Sequence, residues 1–495
     1  MYVCVDVAYG RYDCNNHRLT DHHPDNPSAS IWTGIDYSNP RLKDFRNVIQ
    51  YTQPLIDKST TPRMPWHDVH CVVRGQGARD LARHFIQSWN NVKTEKAMQK
   101  SEQIPFLLPR PDFCESNEPG GPMGTCKVQI VRSVGDWSLG CPTENSIYEA
   151  YIELIKNSEH FIYIENQFFI TQSSDIYRNN SDSSAQSLPS PNSSSNSQFS
   201  GLIKNRIGAA LVERILRAHR EGKPFRVVVV MPLFPAFEAQ FDRPEASSVR
   251  LIMQAQFASI CKGPGSIIGR LLEEGITAPE QFISFFALRS HDTLSGSSIT
   301  EQVYVHSKVA VFDDKYAIIG SANINDRSML GLRDSEISLV VEDADEVEVK
   351  LFDGNVLHAG RKVQELRIRL WQEHLGLLPE PFNSELVQSL ADPLDPKVYF
   401  DLMRQRASRN TQIYRELFHC VPDDSVETWA EYSLFVDKPD TSKIDQETWN
   451  GIDVMANLKL VQGNLVLYPL NFLKKEALSA HILRAEYLLP SEIYL

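Results

Sequence analysis

Phe225-Arg-Val-Val-Val-Val-Met231 is the stretch that most limits what this chain can fold into. Four consecutive valines put branched apolar side chains on both faces of a strand, because successive residues point to opposite sides. Such a strand belongs inside a sheet that is covered on both faces, and helices must supply the cover. The neighbouring sequence provides the pattern. Residues 126–134 read as a strand, 144–157 as a helix and 160–164 as a buried strand; 202–220 follow as a helix. Beyond the valine run, 251–260 and 265–274 read as helices and 282–288, 303–312 and 316–319 as strands. The alternation predicts an α/β domain built on a mixed, largely buried sheet. Farther on, 345–375 read as one long amphipathic helix.

Composition narrows the function classes. The 495 residues carry a net charge of −13, which argues against a general nucleic-acid binder. Eight scattered cysteines without a C-x-x-C pair read as reduced thiols, and the first residues lack the basic and apolar regions of a secretory signal. Both features predict a cytoplasmic protein. No apolar run approaches a membrane span, so any membrane contact is expected to be peripheral. Residues 171–200, dominated by Ser and Asn, are predicted to be a disordered insertion, and the Pro- and Gly-rich 101–124 a connector. Cys14, His17, His22 and His23 match no metal-ligand spacing and read as a polar surface turn; no metal is expected.

The chemistry concentrates in His306-Ser-Lys308-Val-Ala-Val-Phe-Asp313, followed by Gly320-Ser321-Ala-Asn323 and then Glu336. On one strand, residues two apart share a face, so His306 and Lys308 are expected to project together. The ammonium offers fixed charge to a phosphoryl oxygen, and the imidazole can attack phosphorus or move a proton near neutral pH. The glycine lets backbone approach closely, and Ser321 and Asn323 offer donors to the same oxyanion. Glu336 is expected to hold the other ring nitrogen of His306. A second cluster is basic: Lys204, Arg206, Arg214, Arg217, Arg220, Lys223 and Arg226 stand against only Glu213 and Glu221. Helical spacing puts Arg206, Arg217 and Arg220 on one stripe, a face suited to an anionic headgroup or bilayer.

The spacing H-x-K-x4-D-x6-G-S-x-N resembles the HKD signature of the phospholipase D superfamily. Further segments resemble the eukaryotic phosphatidylcholine-hydrolysing members: Thr61-Pro-Arg-Met-Pro-Trp-His67-Asp68, Val131-Arg-Ser-Val-Gly-Asp-Trp137-Ser, Glu144-Asn-Ser-Ile147, Ile162-Tyr-Ile-Glu165-Asn-Gln-Phe-Phe169, Met231-Pro-Leu-Phe-Pro235-Ala-Phe-Glu238 and Trp371-Gln-Glu-His-Leu-Gly376. The resemblance implies an α-β-α sandwich lobe with a mixed sheet. It divides the chain into 1–124 (remnant of a first lobe and connector), 125–390 (second HKD lobe) and 391–495 (C-terminal segment packing on that lobe).

It also implies hydrolysis of phosphatidylcholine to phosphatidic acid and choline, or transphosphatidylation, with His306, Lys308, Asp313, Ser321, Asn323 and Glu336 as catalytic residues. No cofactor is implied beyond phosphatidylinositol 4,5-bisphosphate as an activating lipid, held by Lys204, Arg206, Arg214, Arg217, Arg220 and Arg226. Small GTPases are implied as partners, and the location as peripheral on intracellular or plasma membranes. Family enzymes carry two HKD copies, one histidine forming a phosphohistidine and the other acting as acid and base. The sequence here carries one, and Val3-Cys-Val-Asp6-Val-Ala-Tyr-Gly10-Arg11 resembles the tail that follows the first copy. The expectation is therefore an incomplete first lobe, an exposed apolar sheet edge and doubtful activity, the alternative being a catalytically silent phosphoinositide- and membrane-binding fragment.

Overall fold

The structure, a computed structural model, describes residues 2–3, 9–37, 48–50, 53, 56–96, 104–109, 124–173, 203–236, 241–243, 246–381, 384–436, 443–444, 448–449 and 452–478. The predicted insertion, apart from its first three residues, and most of the predicted connector lie outside them.

The first elements that matter for the site are β1 (Trp66–His67), α1 (Gln76–Lys96), β2 (Cys126–Val134), α2 (Ser146–Asn157) and β3 (Phe161–Glu165). There follow α3 (Ile207–Glu221), β4 (Arg226–Val230), α4 (Ser247–Ile260), α5 (Ile267–Glu273), β5 (Ile283–Leu294) and β6 (Ser297–Val305). Next come β7 (Val309–Phe312), β8 (Tyr316–Gly320), β9 (Glu336–Asp343), β10 (Glu346–Lys350) and β11 (Val356–Gly360). The series closes with α6 (Arg361–His374), α7 (Arg406–Phe418) and β12 (Leu465–Leu467).

One mixed sheet organises these parts. Its order is Lys443–Ile444, β6, β5, β4, β3, β7, β8, β9, β2, Glu144–Asn145, with β12 also on β5 and β1 on β6. The valine-rich β4 lies between β3 and β5, parallel to both, as its two apolar faces require. The pleat sorts side chains into two cores. Ile162, Ile164, Val227 and Val229 meet α2, α3, α4 and α5 on one face; Phe161, Tyr163, Val228 and Val230 meet α6 on the other. This is an α-β-α sandwich. The terminal strands of the sheet have two residues each, and Glu144–Asn145 pairs only with Ser133 and Val134, so residues 126–132 of β2 have no strand on their outer side among the described residues.

Three predicted elements differ. The expected helix over 345–375 is the hairpin β10–β11 followed by α6. Glu346-Val-Glu-Val-Lys350 alternates with period two, its valines turned inward, and Gly354 takes φ +88° in the turn. Thr171–Ser173, predicted to open a disordered insertion, are buried instead. The Thr171 hydroxyl donates to the Asn205 carbonyl and accepts from Gly208 N–H at 2.8 Å. The third difference, a break within 303–312, creates the site.

Candidate active site

β6 ends at Val305 and β7 begins at Val309, so His306, Ser307 and Lys308 form a break rather than the predicted continuous strand. The cause is a change of partners: β6 pairs with β5 and β1, whereas β7 enters between β3 and β8. β1 shapes the break from the side. It runs parallel to β6, and the His67 carbonyl accepts N–H groups from His306 (2.8 Å) and Ser307 (3.1 Å). Asp68, the next residue, thereby reaches the imidazole, with His306 Nδ1 to Asp68 Oδ2 at 3.1 Å. The Asp68 carboxylate holds the ring nitrogen that Glu336 was expected to hold. Sequence reasoning missed this role although Asp68 sits in one of the matching segments, because 238 positions separate the pair.

Around this pair, the Trp66 ring lies 4.9 Å from that of His306, and the Arg11 guanidinium stands 4.2 Å over Trp66. Burial lowers the His306 imidazole below its ordinary value; Lys308 and Arg11 add to this and the Asp68 hydrogen bond opposes it. Lys308 is buried, and its ammonium donates to Gln167 Oε1 at 3.2 Å and to the His306 carbonyl.

The Gly320–Asn323 loop leaves β8 beside this lysine, since Gly320 N–H donates to the Lys308 carbonyl at 3.0 Å. A Cβ at Gly320 would fall 1.7 Å from Ser338 Oγ, so only glycine fits where β8 meets β9. Asn166 Oδ1 braces the loop by accepting Ile324 N–H at 3.1 Å. The Ser321 hydroxyl donates to Glu336, and Ser328 Oγ donates to its other oxygen at 3.0 Å. Burial pushes the Glu336 carboxyl up to about 7, outweighing those two hydrogen bonds. Asn323 Oδ1 is buried without a partner among the described residues.

Asp313 departs from the expected catalytic group. It sits at the far end of β7, where its carboxylate accepts the N–H groups of Glu159 (2.6 Å), His160 (2.8 Å) and Phe161 (2.9 Å). These bonds anchor the turn into β3, so Asp313 serves the fold.

Behind the break lies a network that sequence reasoning did not assemble. Glu165 accepts from Ser307 Oγ at 2.5 Å, from His67 Nε2 at 2.8 Å and, through its other oxygen, from His374 Nε2 at 2.8 Å. His67 Nδ1 lies 3.1 Å from Glu373 Oε1, and His17 Nε2 lies 3.3 Å from the same oxygen. His17, predicted to lie in a surface turn, is 2% exposed, and its Nδ1 is 2.8 Å from Asp13 Oδ2. Among the described residues, His17, His67 and Glu373, or His67, Glu165 and His374, are the two sets of side chains whose donors lie close enough for a metal ion.

The basic residues do not form one face. Arg214 is buried, donating to the carbonyls of Ser158 and Glu159 with its guanidinium 3.9 Å over Phe225. Its place could be read from the helix itself, seven residues after Ile207 on the apolar stripe. Arg226 is buried too, donating to the Gln281 carbonyl at 2.6 Å. Arg206 caps the start of α3, near exposed Lys204, while Arg217 and exposed Arg220 lie toward its other end, roughly 16 Å away at 1.5 Å per residue. At that second end a cleft of about 540 Å³ is lined by Lys156, His160, Arg214, Arg217, Lys223 and Asp353 among others. No helix among the described residues is long and apolar enough to cross a membrane.

Residues 1–417 match the family model described as Phospholipase D. The chain is 38% identical over 467 residues to Phospholipase D1 of Homo sapiens, covering 94% of this chain and 40% of the relative. It is 36% identical over 515 residues to Phospholipase D2 of Bos taurus (99% of this chain, 51% of the relative). Phospholipase D zeta 2 of Arabidopsis thaliana is 34% identical over 568 residues, with 95% and 51% covered. The chain thus spans about half the length of these curated relatives, or less. Among solved structures it is similar to a phospholipase D family member, Nuc, from Salmonella typhimurium (13% identity, 50% of this chain and 93% of that one), at a TM-score of 0.23 that is too low to bear on the fold.

Proposed function

The chain belongs to the phospholipase D family, and from that premise we propose that it hydrolyses the phosphodiester of phosphatidylcholine to phosphatidic acid and choline. One observation carries the proposal: His306 is held through Nδ1 by Asp68, beside a buried ammonium. Nε2 is then the reacting nitrogen. It attacks phosphorus, or it carries the proton for the attacking water and the departing choline oxygen; trapping a phosphohistidine separates the two. Lys308, with the Asn323 amide nearby, takes the phosphoryl oxygens, and Ser321 holds the Glu336 carboxyl beside them. Asp68 orients the ring, the part the acid of a catalytic triad plays. An alcohol in place of water gives transphosphatidylation at the same centre.

The activating lipid we assign is phosphatidylinositol 4,5-bisphosphate at the cleft by the end of α3. Lys156, Arg217 and Lys223 border it, and one Arg214 Nη has no partner among the described residues. The surrounding surface is the peripheral membrane contact, with small GTPases as protein partners.

A second reading, a lipid-binding protein without turnover, is favoured by the fact that this sequence carries the H-x-K-x4-D pattern once. Choline release from phosphatidylcholine vesicles, with and without the phosphoinositide, decides between the two. Hydrolysis predicts release by the native chain and a drop of about 10³-fold in His306→Ala. Equal background rates remove hydrolysis as the function of this chain. Retained binding to phosphoinositide vesicles, weakened in Arg217→Ala/Lys223→Ala, would then support the second reading.

A further inference from the structure

We propose that His17 Nε2, His67 Nδ1 and Glu373 Oε1 form a binding site for a divalent transition-metal ion of the zinc class. The three donors come from chain positions far apart and converge within 4.8 Å of one another. Each histidine already uses its other nitrogen on a carboxylate, His17 Nδ1 on Asp13 and His67 Nε2 on Glu165, both at 2.8 Å. A neutral ring so engaged carries its N–H on the outer nitrogen and its lone pair on the inner one. Metal-ligating histidines are oriented in just this way, by a carboxylate behind the ring.

In that neutral tautomer the inner nitrogens turn lone pairs toward Glu373 Oε1, and three electron-rich atoms converging in a buried space are the arrangement that a shared cation completes. A proton serves the His17 contact poorly: at 3.3 Å, His17 Nε2 is buried and not aligned to donate a hydrogen bond. Spacing points the same way. Tetrahedral zinc with bonds of about 2.0–2.2 Å holds neighbouring ligand atoms about 3.3 Å apart, and the two contacts here are 3.1 and 3.3 Å. The alternative set differs in kind. His67 and His374 approach separate oxygens of Glu165 at 2.8 Å, as aligned hydrogen bonds.

Charge agrees as well. Asp13, Glu165 and Glu373 are three buried or nearly buried carboxylates, and Arg63, 3.8 Å from Asp13, is the guanidinium beside them. With neutral histidines, a divalent cation brings the group to balance. Three protein donors leave a further position for water. The ion would join the 13–17 turn, β1 and the end of α6, and so hold Asp68 in place one residue from a ligand. It does not depend on which phosphodiester is cleaved.

The test is metal content of the intact purified chain, followed by removal with a chelator and reloading with Zn²⁺ or Co²⁺ alone. The expected result is about one zinc per chain. Chelation should lower the thermal midpoint, Zn²⁺ but not Mg²⁺ should restore it, and Co²⁺ should give the absorption of a nitrogen- and oxygen-bound ion. His17→Gln and Glu373→Gln, if folded by circular dichroism, should lose the ion. A folded native chain that neither retains zinc nor takes up Co²⁺ overturns the site, as do folded variants that bind the metal undiminished. Should the variants fail to fold, the native chain decides alone.

Discussion

At one end of β7, Lys308 is buried with its ammonium spread over Gln167 and a carbonyl, and His306 keeps a ring nitrogen for chemistry. At the other end, Asp313 accepts three backbone N–H groups, and Asp314 is fully buried against the equally buried Arg367. Arg367 Nε donates to Asp314 Oδ1 at 3.0 Å, and its other nitrogens reach Asp314 and the carbonyls of Leu390 and Ala391. One short strand thus carries a sequence pattern whose two ends have different work. Where every donor and acceptor is matched inside the protein, the residues hold the sheet to its helices. Where a group is left with valence to spare, it faces a ligand.

The sharpest way to test this contrast is Arg367→Ala, which strands the Asp314 carboxylate in the core. It should cost about 3–5 kcal/mol in a denaturant titration, with the surviving folded fraction keeping its specific activity. Next comes Lys308→Met, expected to lower turnover by about 10²–10³-fold while leaving the unfolding midpoint in place. A Lys308→Met protein as destabilised as Arg367→Ala would erase the distinction between the two ends.

The smallest effect is linked to pH. Burial raises the Glu336 carboxyl from the usual 4.5 to about 7, so the folded state keeps a proton that the unfolded state has lost in that interval. Stability from this group is therefore present below about pH 4.5 and declines as pH rises to 7. Allowing for partial exposure, the loss is about 2 kcal/mol. Chemical unfolding at several pH values should show the decline in the native chain and a flatter profile in Glu336→Gln. Identical profiles would mean that the carboxyl ionises normally, and that the reactive end is better solvated than its geometry indicates.

How much of this was legible depended on whether the cause was local. The valine run at 225–231 became β4 because its own side chains demand cover on both faces, and 316–319 became β8 for the same reason. The break at 306–308 was not read, since His306-Ser-Lys308 joins two apolar runs, 303–305 and 309–312, without a glycine or proline, and the choice of pairing partners is what interrupts the strand. Asp68, Glu165 and Glu373 were illegible as site residues for a similar reason, because β1, β3 and α6 meet only in the folded sheet. The hairpin at 346–360 carried its own signal, a strict period of two ahead of Asp353-Gly354, which the amphipathic stretch following it obscured. Arg214 and Arg226 show the limit of counting charge: a guanidinium capping carbonyls inside the protein looks, in sequence, like one facing a membrane.

The parallel pairing of Trp66–His67 with β6 spans two residues, and with the His67 carbonyl that accepts the His306 and Ser307 N–H groups it brings Asp68 to His306. An unfinished molecule, with its main sheet assembled and this short addition still undocked, would own the histidine without the acid that aligns it.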